Sequence, residues 1–237
     1  MEFVLYYEPE LSEEAKRFQD FCDLQEYSPG ESASTSRRAL YLSHKGLGLI
    51  TPGFIEPLYI KESKKIAKPF RSNLVRACIP KDKIFSENYS VLDAFSGFGS
   101  DGMTLALTRN PVTCVEKDPL IWLILREQLL GFHNVEVKCQ DCVVLMREQS
   151  ASWDTVYLDP MFYQTKKNAL PSLELQHLRD LFSDQQEDVL QTLDLARTRA
   201  RERVVLKRKA KDAQIGKPNF SIAGKLVRFD VYRGEAA

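Results

Sequence analysis

The sequence predicts an α/β fold, a parallel sheet with helices on both faces, preceded by a small α+β unit. Three observations predict it. Short apolar runs alternate with helical stretches from Ser90 to Leu158, the pattern of strands joined by crossover helices. A glycine-rich turn separates the first of these strands from its helix. The composition, 43% hydrophobic and 28% charged over 237 residues, is that of a globular chain long enough to bury a core without disulfides.

The elements follow in order. Phe3–Tyr7 reads as a strand, Ser12–Leu24 as a helix and Glu26–Ser36 as a polar loop. Leu40–Ser43 and Leu47–Thr51 flank His44-Lys45-Gly46 as a hairpin, which completes a unit over residues 1–60. Within the domain predicted over 61–237, Ser90–Ala94, Val112–Val115, Val135–Cys139 and Thr155–Leu158 read as strands. Asp101–Thr108, Pro119–Leu130 and Val143–Gln149 read as the helices between them, each with apolar residues at helical spacing. An acidic helical stretch, Leu173–Leu195, precedes two closing strands, Val204–Lys207 and Leu226–Tyr232.

Charge is balanced overall, 33 basic against 33 acidic residues, but unevenly distributed. Residues 1–31 hold nine acidic and two basic side chains, so the other 206 residues carry a net +7. A polyanionic partner is therefore compatible with overall neutrality, provided the basic charge is local. The N-terminus, MEFVLYYEPELSEE, is acidic and has no basic leader, unlike a secretory or transit peptide. The longest apolar run, Leu120 to Leu125, is far below the ~20 residues of a membrane span. Five dispersed cysteines suit a reduced cytoplasmic setting. Cys139 and Cys142 form a C-x-x-C with no second ligand pair at zinc spacing, so no metal site is expected; Cys139 should end a strand and Cys142 open a helix.

Val91 to Gly102 runs from strand through glycine loop to helix, and Gly97, Gly99 and Gly102 satisfy G-x-G-x-x-G. A dinucleotide would place its pyrophosphate at that helix N-terminus. Here Asp101 sits at the N-terminus and Asp93 closes the strand, and both would repel it. They suit S-adenosylmethionine, which carries an ammonium and a sulfonium. Glu116 ends the second strand, 23 residues after Asp93, where a carboxylate accepts ribose hydroxyls. Asp141 follows the third strand, in position to accept from an adenine amino group. Carboxylates at successive strand ends occupy the edge where open α/β sheets bind ligands.

Asp159-Pro160-Met161-Phe162 follows the fourth strand. Asp-Pro with a nearby aromatic fits methyl transfer to an exocyclic amine. Such a nitrogen is a poor nucleophile because its lone pair is delocalised into the ring. Asp159 and the Pro160 carbonyl can accept its two N–H bonds and hold it in line for attack. Phe162 can stack on the base once it leaves its duplex.

These residues resemble the ribosomal RNA small subunit methyltransferase J family. The resemblance rests on VLDAFSGFGSDG at 91–102, VEKDP at 115–119, VYLDPMF at 156–162 followed by Lys166 and Lys167, VVLKRK at 204–209 and VRFDVY at 227–232. It covers roughly residues 40–235. It implies a class I S-adenosylmethionine-dependent methyltransferase fold, Rossmann-like, with a mostly parallel seven-stranded sheet. It further implies methylation of N2 of guanine 1516 in 16S rRNA, with the small ribosomal subunit as partner. By position, Ser100 and Asp101, Glu116 and Lys117, Gln140 and Asp141, and Asp159 would contact the cofactor. The family usually has Arg in place of Ser100 and a Ser pair in place of Gln140 and Asp141.

Two basic stretches offer phosphate contacts. One spans Lys61–Arg76 and includes Lys64, Lys65, Lys68 and Arg71. The other, Arg197–Lys211, has eight basic residues against Glu202 and brings Lys207, Arg208 and Lys209 to the reactive edge. Two other readings use the same features. One is methylation of a different amine, adenine N6 or protein glutamine; the other is a non-catalytic RNA-binding assembly factor of the same fold.

Overall fold

A computed structural model describes residues 3–27, 37–52, 56–60, 69–148, 152–160 and 189–236. Its described strands form two sheets. The first five strands are β1 (Val4–Tyr7), β2 (Asp23–Glu26), β3 (Ala39–Ser43), β4 (Gly46–Ile50) and β5 (Leu58–Tyr59). They make a sheet in the order β2-β1-β3-β4-β5. The β3–β4 hairpin turns at His44-Lys45, as the sequence indicates. The helix expected over Ser12–Leu24 is much shorter. Only α1 (Ser12–Ala15), with 3₁₀ turns on either side, forms before the chain enters β2. Residues 23–26 pair in parallel with Val4–Tyr7, and that sheet pairing overrides the local helical pattern.

The second sheet contains β6 (Val91–Asp93), β7 (Val112–Glu116), β8 (Val135–Cys139), β9 (Trp153–Leu158), β10 (Ala200–Lys209), β11 (Phe220–Ala223) and β12 (Val227–Arg233). Its order is β11-β12-β10-β9-β6-β7-β8. The strands from β10 through β8 are parallel, and β12 runs antiparallel to both of its neighbours, β10 and β11. β10 is longer than expected at both ends, and β11 was not anticipated from the sequence. Its residues alternate weakly and are mostly exposed, so an edge strand leaves little periodic signal. The described helices are α2 (Asn73–Cys78), α3 (Ser100–Ala106), α4 (Pro119–Leu129), α5 (Cys142–Arg147) and α6 (Val189–Arg199). Of the acidic stretch expected to be helical, residues 173–188 lie outside the described residues.

Helix α4 joins the two sheets. Asp118 caps it through Oδ1, which accepts from the backbone N–H of Leu120 and Ile121, and Pro119 occupies its first turn. This is a strong helix start. Leu125 and Leu129 pack into the core beneath the seven-stranded sheet. Leu120, Ile121, Leu123 and Ile124 pack with Leu5, Phe18, Leu40 and Leu49 of the N-terminal unit. Burial on both sides explains why the helix is apolar nearly all round. Arg38 and Arg17 add ion pairs to Asp118 (2.7 Å) and Glu127 (2.6 Å).

Candidate active site

Strand order reverses between β6 and β9, the two central parallel strands. In open α/β sheets the crevice beyond the carboxyl ends at such a point binds ligands. Asp93 pairs in register with Tyr157, and Leu206 pairs with Leu158. Lys207 and Asp159 each come one residue later and so emerge side by side. Along the other direction, Glu116 ends β7 and pairs with Cys139 at the end of β8.

The loop after β6 is held open by main-chain geometry. Gly97 and Gly99 have φ of +52° and +86°, where a side chain would be strained. The Ser96 hydroxyl donates to the Asp93 carbonyl and accepts from the Val115 N–H, tying the loop to β7. The Gly97 N–H donates to Glu116 Oε2 at 3.1 Å, and the Asp118 N–H donates to Glu116 Oε1 at 2.8 Å. Glu116 is therefore fixed beneath the loop. Burial nevertheless pushes its pKa up to about 7 against those two N–H donors. A carboxylate so placed is ready to accept further hydrogen bonds from a ligand.

Asp93 is in a different state. It is only 1% exposed, and neither carboxylate oxygen has a hydrogen-bond partner among the described residues. Burial, then repulsion from Asp101 and Asp159, pushes its pKa up to about 8, with the nearby Ser96 side chain and the Lys207 ammonium opposing the rise. A partnerless buried carboxylate is costly. Asp101, in the first turn of α3, accepts from Tyr157 Oη at 2.5 Å and from Lys207 Nζ at 2.7 Å, both through Oδ2. Lys207 Nζ also donates to Asp159 Oδ2 at 2.8 Å. The side chains of Lys207 and Asp159 are 23% and 32% exposed. Burial raises the Asp159 pKa, and the Lys207 ammonium pulls it back. The two carboxylates hold Lys207 firmly protonated against the desolvation that opposes it.

The SAM-dependent methyltransferase family model matches residues 39–234. A ribosomal RNA small subunit methyltransferase J from Thioalkalivibrio sulfidiphilus is 34% identical over 227 residues, 86% of this chain and 87% of its own length. The chain belongs to the ribosomal RNA small subunit methyltransferase J family. A Legionella pneumophila family member is 27% identical across 98% of this chain and 96% of its own. The crystal structure of a SAM-dependent methyltransferase from Neisseria gonorrhoeae superposes with a TM-score of 0.67 at 21% identity. It covers 99% of this chain and 97% of the other, so the two share a fold.

S-adenosylmethionine is accordingly the cofactor, and the residues present fit it. Its ammonium and sulfonium suit a rim of carboxylates, and Asp93 has two buried oxygens available for a cation. A side chain at Gly97 would meet nothing within 4 Å, so the loop borders open space. When bound, the cofactor supplies an electrophilic methyl group on its sulfonium.

The structure gathers Asp93, Gly97, Gly99, Ser100, Asp101, Glu116 and Asp159 at one edge. Pro160 is buried after β9, and Lys117 is half-buried after β7. Asp141 follows β8 as expected, and its Oδ1 caps α5 by accepting from the Val143 and Val144 N–H groups. Gln140 donates to Glu148. Cys139 ends β8 and Cys142 opens α5. Phe162, Lys64, Lys65 and Lys68 lie outside the described residues, and Arg71 is exposed before α2.

Two assignments to RNA phosphates need correction. Lys207 is turned inward to two carboxylates. Arg208, on the opposite face of β10, is mostly buried; it donates to the Ala213 carbonyl and lies 3.7 Å from Asp212. Lys209 is partly exposed. The preceding arginines act as clamps: Arg199 donates to the Met146 carbonyl, Arg201 to Ser152, and Arg203 to the Ala77 carbonyl. Tyr157 was not recognised as a site residue. Its position two residues before Asp159 on β9 put it on the same face of the strand, and that alternation could have identified it.

Proposed function

We propose that this chain transfers the methyl group of S-adenosylmethionine to the exocyclic N2 of a guanine in 16S rRNA, the position implied being 1516. The observation that carries the reading is Asp159 at the switch point, partly exposed and next to the donor-site carboxylates. An ionised carboxylate only accepts hydrogen bonds. Guanine offers two neighbouring donors on its pairing edge, N1–H and N2–H₂. Adenine offers a donor beside an acceptor, which an amide such as Asn would match better. Asp at position 159 therefore favours guanine.

In this reading Asp159 and the Pro160 carbonyl hold the amine and orient its lone pair. The bound donor would supply its sulfonium methyl group to that nitrogen, with the sulfur as leaving group. One N–H proton is released to Asp159 and then to water. Glu116 and the glycine loop hold the donor, and Asp93 balances its ammonium. The names of the relatives support ribosomal RNA as the substrate class.

The test is labelled methyl transfer onto 30S subunits from cells lacking the activity, with the modified nucleotide mapped. Asp159→Asn should lower kcat by about 1,000-fold, because its amide N–H faces a guanine donor. Donor affinity should change less than about tenfold, or 1.4 kcal/mol. Label on adenine, or an active Asp159→Asn variant, would overturn the assignment.

A further inference from the structure

Lys207 connects the two halves of the site. Its ammonium lies 2.7 Å from Asp101 on the helix that follows the glycine loop and 2.8 Å from Asp159 at the acceptor turn. Tyr157 braces the same Asp101 oxygen from below. The strand register fixes this arrangement: Leu206 and Leu158 are paired neighbours, so their successors share one level of the sheet. We propose that Lys207 is a positioning residue that keeps Asp159 ionised and oriented as an acceptor, and couples it to the donor-site helix through Asp101. The inference deepens the methyl-transfer reading and rests on it for the identity of the amine.

The physical need is clear from the surroundings. Asp159 faces Asp101 from α3, Asp93 from β6, Tyr157 from its own strand and Lys207 from β10. Among the described residues Lys207 is the cation in that set, against three carboxylates. Without it, burial and like-charge repulsion would favour protonation of Asp159. A protonated Asp159 carries an O–H donor, which would face the donor edge of guanine and could not take its proton. Lys207 also occupies Oδ2 of both carboxylates, which limits rotation of each carboxylate group. A phosphate contact would instead require an ammonium turned outward to solvent, the arrangement this structure lacks at position 207.

Two readouts on the full chain test the proposal, one of them independent of RNA. The first follows the Asp159 carboxyl by ¹³C NMR titration in wild type, Lys207→Met and Lys207→Arg. The midpoint should rise in Lys207→Met and return towards wild type in Lys207→Arg. The second is the pH profile of kcat on 30S subunits. Lys207→Met should lose about 100-fold at pH 7 and regain activity as pH rises, with KM for the subunit unchanged. If Lys207→Met does not fold, Lys207→Met combined with Asp101→Asn relieves the repulsion, and its Asp159 midpoint should still lie above wild type. An unmoved midpoint, or a uniform loss of kcat with an unshifted profile, would overturn the proposal. So would unchanged kcat with a weaker salt dependence of RNA binding. A shifted midpoint in an enzyme that does not methylate 30S subunits would retain the pairing and refute the rRNA reading alone.

Discussion

Asp93 and Asp159 end neighbouring parallel strands, yet their electrostatic surroundings differ. Asp159 has a cation from the chain itself, Lys207 at 2.8 Å. Asp93 has no cation in contact with it among the described residues: Lys207 acts on it only at a distance, and both its oxygens lack a hydrogen-bond partner there. Both carboxylates are lifted by burial, so desolvation alone does not distinguish them. The difference lies in where the compensating charge comes from. At Asp159 it is built into β10, as suits a group that handles a neutral amine. At Asp93 the chain supplies only the distant Lys207, which leaves room for a ligand cation, the proposed donor ammonium, to complete the compensation. Strain stored at a binding site and relieved by its ligand is a recurring arrangement.

The sharpest way to break this comparison is Asp93→Asn. Donor affinity should fall by about 100-fold, near 2.7 kcal/mol, since a hydrogen-bonded ion pair is lost. Stability without donor should move the other way, with a sign set by pH. The native pKa of Asp93, about 8, lies above the ordinary value near 4. Between those values the native state holds a proton that the unfolded state has lost, so wild-type stability falls as pH rises through that window. Above about pH 8 the loss is complete. Asp93→Asn should match wild type near pH 4 and exceed it by at least about 2–4 °C in Tm at pH 8.5. Glu116, with its pKa pushed up to about 7, adds a similar slope to both proteins and cancels in the comparison. Donor binding should also release about one proton at pH 7, read from binding enthalpies in buffers of different ionisation heat. Unchanged affinity in Asp93→Asn would remove its pairing with the donor cation.

A smaller effect is expected from Gly102→Ala, which tests the space around Asp93. Gly102 lies in α3, and alanine there gains about 1 kcal/mol in helix propensity. The added Cβ, however, would stand 2.8 Å from Cys114 Sγ and 3.1 Å from Asp93 Oδ2. Overpacking of this kind costs about 1–3 kcal/mol. The net should be a loss near 1 kcal/mol in thermal or urea unfolding, with weaker donor binding. A more stable variant with full affinity would mean that Asp93 is not held in place by this contact.

Much of this contrast was legible in the sequence. Strand–helix alternation and the glycine loop placed Asp93, Asp101, Glu116 and Asp159 at one edge, because backbone periodicity fixes strand ends. Ser12–Leu24 misled because a four-residue helix followed by a strand shares the apolar spacing of a longer helix, and only pairing with β1 separates the two. Lys207 and Arg208 misled for another reason. In sequence, a run of Lys and Arg states charge but not direction. On a strand, neighbouring side chains point to opposite faces, so Lys207 reaches the carboxylates while Arg208 turns to Asp212. Asp141 shows the same limit: one residue type serves a helix cap and a ligand contact equally well, and sequence alone does not say which groups its oxygens meet.

The smallest expected effect separates an internal cation from a surface one. Lys209 lies two residues beyond Lys207 on β10, pairs with Val227 near the β11–β12 turn and is partly exposed. Lys225 is exposed in that turn. A lysine that neutralises one phosphate of single-stranded RNA contributes about 0.7 to the slope of log K against log salt. Lys209→Ala should lower that slope by about this amount and weaken RNA binding across sequences, with donor affinity and single-turnover rate at saturating RNA retained. Lys207→Met should leave the slope as it is and reduce the rate. Equal slope losses in the two variants would place both ammonium groups on the RNA phosphates and erase the distinction between a carboxylate with a resident cation and one without. Arg203→Ala provides the third point. Arg203 donates to the Ala77 carbonyl and stacks over Phe220, so its loss should cost about 1 kcal/mol of stability and leave both the slope and the rate unchanged. Only the pattern across all three cations, surface, site and clamp, assigns a single basic strand to three separate tasks.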